Sequence, residues 1–220
     1  MTIDLDLQMA RLEVKLLRAQ FNSHFLFNNL NAINYCILQN ENAKATSYLT
    51  LFSRFLRRLA GSSRQDFVRL SEEIETLSQY VQIENLRYAR PLRLVVSVDH
   101  GIEAEDVWLP SLVLHSQLEN VIWQNLESLT DEGVLRLGVS RKSGKYCILL
   151  ETKGVYSELA HSRSELGSRE SALNLTLKRL QLLNARHGTD LKISKSKARF
   201  PNSNVRVGLS FTPFVPQNLF

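Results

Sequence analysis

The N-terminal part of the chain carries apolar residues at alternating steps of three and four positions. This spacing is a heptad repeat, which lets helices pack against one another along a common seam. We therefore predict a long first helix from about Asp4 to about Leu38 that packs with a second helix or a second copy. The seam positions are Leu5, Met9, Leu12, Leu16, Ala19, Ser23, Leu26, Leu30, Ile33 and Ile37.

Two further helices are predicted before residue 90. The second begins at Asn40, a favourable N-cap residue, and ends near Gly61. The third begins at Ser71, another favourable N-cap, and ends near Tyr88. Acidic residues in its first turn complement the helix dipole. The apolar stripe of the second helix is Leu49, Phe52, Leu56 and Leu59, and the acidic pair of the third is Glu72 and Glu73.

Beyond Pro91 the apolar period changes from that of a helix to that of a strand. The segment from Leu92 to Val98 alternates apolar with other residues, which is typical of a half-buried strand. Two more strands are predicted at 134–139 and 146–150. The dipeptide Ser143-Gly144 between them predicts a tight turn.

Two helices interleave with these strands, one opened by Leu109-Pro110 and one from Ser171 to Asn184. A hairpin around Pro201-Asn202 follows, and the tail after Pro213 is expected to be loose. Strands interleaved with two helices, with one sheet face covered, predict an α/β sandwich over residues 91–216. The predicted fold class is α+β, with an N-terminal helical region over residues 1–90 followed by this sandwich domain.

One histidine stands inside the first helical pattern. His24 lies one residue past a seam position, so it falls on the outer shoulder of the helix, toward solvent. Neutral imidazole is well populated at pH 7, so an exposed His24 can act as a nucleophile toward another domain. The alternative from spacing alone is a solvated surface histidine without a chemical role.

The residues around His24 resemble the phosphoacceptor box of the LytS-type sensor histidine kinases. The family pattern is Gln-hydrophobic-Asn-Pro-His-Phe-Leu-Phe-Asn-x-Leu-Asn, and the chain follows it from Gln20 to Asn31. Ser23 replaces the family proline, which bends a helix, so the helix is expected to run straighter past His24. The resemblance implies a dimerisation and phosphoacceptor region followed by an ATP-binding domain of the Bergerat type. The third helix resembles the family at Leu70–Glu75, Tyr80–Glu84 and Arg87-Tyr88.

The resemblance extends to the first helix of the sandwich, where Glu119-Asn120 matches the family. In the family this asparagine ligates Mg²⁺, a hard cation that prefers oxygen ligands and bridges the phosphates of ATP. The resemblance therefore implies ATP and Mg²⁺ as cofactors, with Asn120 as the metal ligand. Because Phe25 follows His24 where other kinase classes have an acidic base, Glu119 is our candidate for the base. Gln124 stands where the family has histidine, at the edge of the nucleotide site.

Two glycine-rich boxes of the family are altered in this sequence. Aligning the first places Thr152 at the adenine-binding aspartate and Gly154 at the first glycine. Threonine offers a weaker hydrogen bond than a carboxylate. The lid box is anchored by Arg179, which leaves Glu170 and Ala172 at glycine positions, where backbone amides should turn toward phosphates.

Composition and charge bear on location and partners. The net charge of +5 is spread along the chain without interleaved aromatic and basic residues, so we expect no direct nucleic-acid binding. No apolar run approaches the roughly 20 residues that cross a bilayer. Cys36 and Cys147 are interpreted as free thiols in a reducing compartment, and the expected location is the cytoplasm.

Two functions remain open at this point. In the first, the chain is a homodimeric histidine kinase core in which His24 attacks the γ-phosphate of Mg·ATP. The phosphoryl group then passes to an aspartate of a response regulator, which in this family typically has a LytTR DNA-binding domain. In the second, a degenerate kinase acts as a dimeric phosphotransfer or regulator-binding scaffold without ATP hydrolysis. Thr152 and the lost glycines favour the second, whereas Asn120 and His24 oppose it.

Overall fold

A computed structural model of the chain covers parts of both predicted regions. The described residues are 23–87, 92–118, 133–153, 166–196 and 206–216. The elements are α1 (Ser23–Leu38), α2 (Asn42–Ser62), β1 (Phe67–Arg69), α3 (Leu70–Arg87), β2 (Leu92–Val98), β3 (Trp108–Pro110), β4 (Gly133–Lys142), β5 (Lys145–Lys153), α4 (Leu166–His187), β6 (Lys192–Ser196) and β7 (Arg206–Phe211). A further helical segment, here called the 113–118 helix, follows β3.

The first two helices differ from the prediction in detail. α1 ends at Leu38 as predicted, and its predicted start lies outside the described residues. Asn40 has a left-handed φ of 59°, which ends α1, and the N-cap of α2 is Glu41, so Asn40 was wrongly assigned as the cap. Leu49 is 49% exposed, so it does not belong to the buried stripe of α2. That stripe is Ala45, Tyr48, Phe52, Phe55 and Leu59.

The sandwich domain is built on a five-stranded mixed sheet in the order β2-β4-β5-β7-β6. β2 runs parallel to β4, and the other neighbours are antiparallel. Ser143 and Gly144, with φ of 49° and 79°, form the predicted turn between β4 and β5, because a tight hairpin turn favours positive φ at both positions. The buried side chains of the sheet share one face: Leu135, Leu137, Val139, Ile148, Leu150, Val207, Leu209 and Phe211. The α+β fold class and the sandwich are therefore confirmed.

A second, two-stranded ladder ties the helical region to the sandwich. β1 pairs antiparallel with β3, so that Val68 lies opposite Leu109. The prediction that Leu109-Pro110 opens a helix is therefore wrong, since both residues belong to β3 and the helix starts at 113. The two strands stand on either side of the predicted domain boundary at residue 90, and that boundary stays a prediction.

The two ends of the sandwich sequence also pack differently from the prediction. α4 begins at Leu166, earlier than expected, and is followed by Gly188 in a left-handed conformation. The tail is ordered by contacts up to Phe214, whose ring lies 4.8 Å from that of Phe67. β2 lies at the sheet edge, where Val96 is 38% exposed, so only part of the expected burial of this strand is seen. Among the helices described, none is long and apolar enough to span a bilayer.

Candidate functional site

The backbone of His24 lies in the first turn of α1, beside a tightly packed residue. The side chain of His24 falls outside the described part of the structure. Phe25 is 3% exposed, and its ring stacks on that of Tyr80 from α3 with centroids 5.3 Å apart. The same ring lies 5.9 Å from Phe55 of α2. α1 is therefore held against both neighbouring helices by the residue directly after His24.

Asn29 holds α1 against α2 one turn further along. Its side chain is fully buried, and its Nδ2 donates to the backbone oxygen of Phe25 at 2.8 Å. Its Oδ1 accepts from the hydroxyl of Tyr48 at 2.6 Å. Because a buried amide without partners is costly, the hydrogen bond from Tyr48 specifies how the two helices pack. Position 29 is unspecified in the family pattern, so Asn29 was assigned no role from the sequence.

The opposite side of α1 is apolar and uncovered in the single chain. Of the predicted seam positions, Ile33 is buried, whereas Leu30 and Ile37 are 49% and 51% exposed. Phe27, on the same side of the helix, is 64% exposed. Exposed apolar residues at this density on one helix are typical of an interaction surface.

Glu73 of α3 caps the start of the 113–118 helix. Its carboxylate accepts hydrogen bonds from the backbone N–H of Leu112 at 2.5 Å and of Leu114 at 2.9 Å. These N–H groups belong to the positive end of a helix, which favours a carboxylate. Leu112 itself has a φ of 58°, a left-handed backbone conformation that is uncommon for residues other than glycine. Glu73 thus stabilises both the helix start and an unfavourable backbone conformation.

The carboxyl group of Glu73 is 1% exposed, so its charge is costly. Burial raises the pKa of Glu73 from 4.5 to about 7, against the opposing effects of the backbone hydrogen bonds and of Arg179. The group therefore titrates close to neutral pH. Sequence reasoning had placed Glu73 in the first turn of α3 only as a partner of that helix's own dipole.

His115 sits between the helical region and the sandwich. Its ring lies 5.6 Å from Phe55 and 5.2 Å from Tyr80, with both rings edge-on to it. Burial lowers the pKa of His115 from 6.5 to about 4, so the imidazole is neutral at pH 7. Within the described residues, its Nδ1 has no hydrogen-bond partner. The neutral ring therefore packs edge-on against two aromatic side chains.

Arg179, which the sequence assigned to the nucleotide site, is largely buried and bound to protein acceptors. Its guanidinium donates to the backbone oxygen of Ser111 at 2.5 Å, to the hydroxyl of Ser111 at 2.8 Å and to the backbone oxygen of Gln65 at 3.1 Å. Arg179 thereby joins α4 to the segments beside β1 and β3. Its predicted role toward ATP stays a prediction.

A small pocket lies between the 113–118 helix and α4. Ser111, Ser116, Thr176 and Arg179 supply its polar lining. The hydroxyls of Ser116 and Thr176 lie 3.5 Å apart.

The remaining predicted site residues are placed only in part. Glu119, Asn120, Gln124 and Gly154 lie outside the described residues, so their roles stay predictions. Thr152 belongs to β5, where its backbone is paired with Leu135 of β4. In the described ranges, no cluster of three or more His, Cys, Asp or Glu side chains could hold a metal ion.

The lid segment is helical where the family has glycines. α4 spans Leu166–His187, so Glu170 and Ala172 lie within a helix. Helical backbone amides bond to the preceding turn and do not turn toward a phosphate. Cys36 and Cys147 are both free thiols, as predicted.

The sequence did contain a signal for the buried acids of α3. Leu70, Leu77 and Tyr80 form its buried apolar stripe, and a helical period places Glu73 and Glu84 on the same stripe. Both glutamates are 1% exposed. An acid at an apolar helical position was therefore the indication that a buried partner existed.

Comparison with known proteins gives one family. A family model described as histidine kinase matches residues 12–92. Sensor histidine kinase BtsS of Escherichia coli (strain K12) is 32% identical over 200 residues, covering 90% of this chain and 33% of that protein. Sensor histidine kinase YesM of Bacillus subtilis (strain 168) is 31% identical over 142 residues, covering 64% of this chain and 24% of that protein.

A third relative carries the name of the family that the histidine box resembles. Sensor protein LytS of Oceanobacillus iheyensis is 29% identical over 138 residues, covering 63% of this chain and 23% of that protein. The chain spans about a third or less of the length of these curated relatives. Residues 12–92, with the histidine box and α3, thus belong to the histidine kinase family, and the chain is a relative of the LytS-type sensor histidine kinases.

Proposed function

We propose that this chain is the core of a sensor histidine kinase that phosphorylates His24 from Mg·ATP and passes the phosphoryl group to a response regulator. The observation that carries the proposal is the family match over residues 12–92, which includes the whole histidine box. The rings of Phe55 and Tyr80 support it, because both contact Phe25 of α1 and His115 of the 113–118 helix, and that helix is followed in sequence by Glu119-Asn120.

The proposed chemistry is an in-line displacement at phosphorus. A lone pair of a His24 ring nitrogen forms a bond to the γ-phosphorus, the bond to the β,γ-bridging oxygen breaks, and ADP leaves with that electron pair. The proton on the other ring nitrogen is lost to a base, for which Glu119 is our candidate. The aspartate oxygen of a response regulator, of the LytTR type in our proposal, then takes the phosphoryl group from His24.

The donor chemistry of Asn120 fits Mg²⁺, since an amide oxygen is a hard ligand of the kind this ion prefers. Mg²⁺, when bound, neutralises charge on the transferring phosphate. We assign Gln124, Thr152, Gly154 and Arg179 to the nucleotide side of the site. Because ATP and response regulators are found in the cytoplasm, the proposed function also places this chain there.

The proposed active form is a homodimer in which α1 and α2 pair with a second copy as a four-helix bundle. The apolar side of α1 supports this, because Leu30 and Ile37 are half exposed in the single chain. Leu30→Lys should convert the dimer to a monomer in sedimentation equilibrium, since a charge cannot be buried in such a seam. Gln82→Lys, on the exposed side of α3, is the control and should remain dimeric.

A degenerate kinase is the second candidate, and one observation favours it. α4 is helical across Glu170 and Ala172, where a phosphate-binding lid needs glycine. In that case the chain would act as a dimeric phosphotransfer protein or regulator-binding scaffold. Its His24 would receive a phosphoryl group from another donor.

Calorimetry of Mg·ATP binding separates the two candidates. A kinase core should bind in the micromolar range only when Mg²⁺ is present, and Asn120→Ala should remove the binding. Absence of binding up to millimolar ATP would exclude autophosphorylation and leave the scaffold.

Labelling with γ-³²P-ATP tests the acceptor directly. Label that is stable to base and lost in acid should appear on the wild type and be absent from His24→Ala. His100→Ala removes an exposed histidine of the sandwich and is the matched control, which should label normally. Label retained by His24→Ala would show that another residue is the acceptor.

A further inference from the structure

Five buried ring side chains form one connected group, here called the aromatic cluster, that joins four helices. Its members are Phe25 of α1, Phe52 and Phe55 of α2, Tyr80 of α3 and His115 of the 113–118 helix. None is more than 3% exposed. One end of the cluster is the residue after His24, and the other is on the helix that leads into Asn120.

We infer that the aromatic cluster sets the orientation of α1 relative to the sandwich domain and makes Phe25 a positioning residue for His24. This inference rests on the proposed function, since it concerns how the acceptor helix faces the nucleotide domain. It assigns a role to side chains that have no part in the proposed chemistry.

The geometry of α1 explains how Phe25 can act on its neighbour. Consecutive residues of an α-helix lie about 100° apart around its axis. A ring that is fixed at position 25 therefore fixes the direction in which position 24 leaves the helix. The Phe25 ring is fixed from two sides, by the stacked ring of Tyr80 at 18° and by Phe55 at 64°.

The cluster also reaches the sandwich without a gap. Phe55 and Tyr80, which both contact Phe25, also both contact His115. Because close-packed interiors transmit displacement, rotation of α1 would have to move these rings and with them the 113–118 helix. Phosphoryl transfer is sensitive to such movement, since a misplacement of about 1 Å can slow a reaction about 10²-fold.

A comparison within α1 distinguishes positioning from ordinary core packing. Ile33 is buried on the same helix, 6% exposed, but is not a member of the aromatic cluster. Phe25→Leu keeps an apolar side chain at position 25 and removes the ring. Ile33→Ala removes the same number of side-chain carbon atoms as Phe25→Leu from the same helix and leaves all five rings in place.

The first measurement is the rate of His24 phosphorylation at saturating Mg·ATP, together with the Kd of Mg·ATP. Phe25→Leu should be at least about tenfold slower with an unchanged Kd, because the nucleotide site is intact and only the acceptor is misplaced. Ile33→Ala should stay within about twofold of the wild type once both are shown to be folded. Tyr80→Leu, which breaks the cluster from α3, should behave like Phe25→Leu.

The second measurement does not depend on activity. Hydrogen–deuterium exchange of the peptide containing 113–118 should rise in Phe25→Leu and not in Ile33→Ala, because only the first breaks the path to His115. Equal exchange in the two variants would overturn the inference, as would equal rates of phosphorylation. A wild type that binds no Mg·ATP would refute the proposed function instead, and the exchange comparison alone would then decide whether the cluster fixes α1 on the sandwich.

Discussion

The two sides of the 113–118 helix are held in different ways. On the side of the helical region, Glu73 caps its start and His115 is enclosed by rings. On the side of α4, Ser116 and Thr176 line a polar pocket. The residues that fix the helix in place therefore come from distant segments of the chain, whereas the motif residues Glu119-Asn120 follow it in sequence. Family motifs identify the residues of the proposed chemistry. The contacts between the helical region and the sandwich determine how His24 and the nucleotide site are arranged.

The largest effect on stability should come from a substitution at the centre of the aromatic cluster. Phe55 is fully buried and contacts Phe25, Tyr80 and His115. Phe55→Ala should lower the free energy of unfolding by about 3–5 kcal/mol, the usual cost of removing a buried ring. Leu49→Ala, on the exposed side of the same helix, should cost less than about 1 kcal/mol. Urea denaturation of both variants checks this, and similar losses would contradict the described packing.

A smaller effect on stability is expected from replacing Glu73, which caps the start of the 113–118 helix. Glu73→Gln leaves one acceptor oxygen for two backbone N–H groups and should cost about 1–3 kcal/mol. Burial raises the pKa of Glu73 in the folded state to about 7. The contribution of this group to stability is therefore fully present below pH 4.5 and is lost as the pH rises through 7. The loss caused by Glu73→Gln should therefore be larger at pH 5 than at pH 8. A pH-independent difference in urea denaturation would argue against a buried, titrating Glu73.

At pH 8 the smallest effect should come from His115, and its pH dependence has the opposite sign. Because the pKa of His115 is lowered to about 4 in the folded state, its contribution to stability is present above pH 6.5 and is lost as the pH falls through 4. His115→Phe keeps a ring in the aromatic cluster and removes a buried nitrogen without a described partner. We expect a gain of about 1 kcal/mol at pH 8 that grows toward pH 4.5. Thermal unfolding at both pH values measures it, and a constant gain would show that His115 is not buried as described.

Local features of the fold could be predicted from the sequence, and contacts between distant segments could not. The turn at Ser143-Gly144 and the end of α1 at Leu38 depend on a few neighbouring residues, and both were predicted correctly. Leu109-Pro110 was assigned to a helix because its partner strand, β1, is far away in the sequence. Leu49 was misplaced because an apolar residue at the shoulder of a helix fits two adjacent stripes.

The same distinction applies to the site. His24 could be proposed as the acceptor because its neighbours form a contiguous motif, whereas Glu73 was missed because its partners Leu112 and Leu114 are about 40 residues away. A short motif is visible in a single stretch of sequence. A buried cap is visible only when the chain has folded and brings both halves together.

The β1–β3 ladder has a consequence for any attempt to divide this protein. It joins residues on both sides of the predicted boundary at residue 90, with Phe67 opposite Pro110 and Val68 opposite Leu109. A fragment that stops at residue 90 would leave β1 with an unpaired edge and two uncovered apolar side chains. Unpaired strand edges recruit other chains. The isolated N-terminal helices should therefore aggregate or assemble artificially, and assays of the phosphoacceptor helix call for the whole chain.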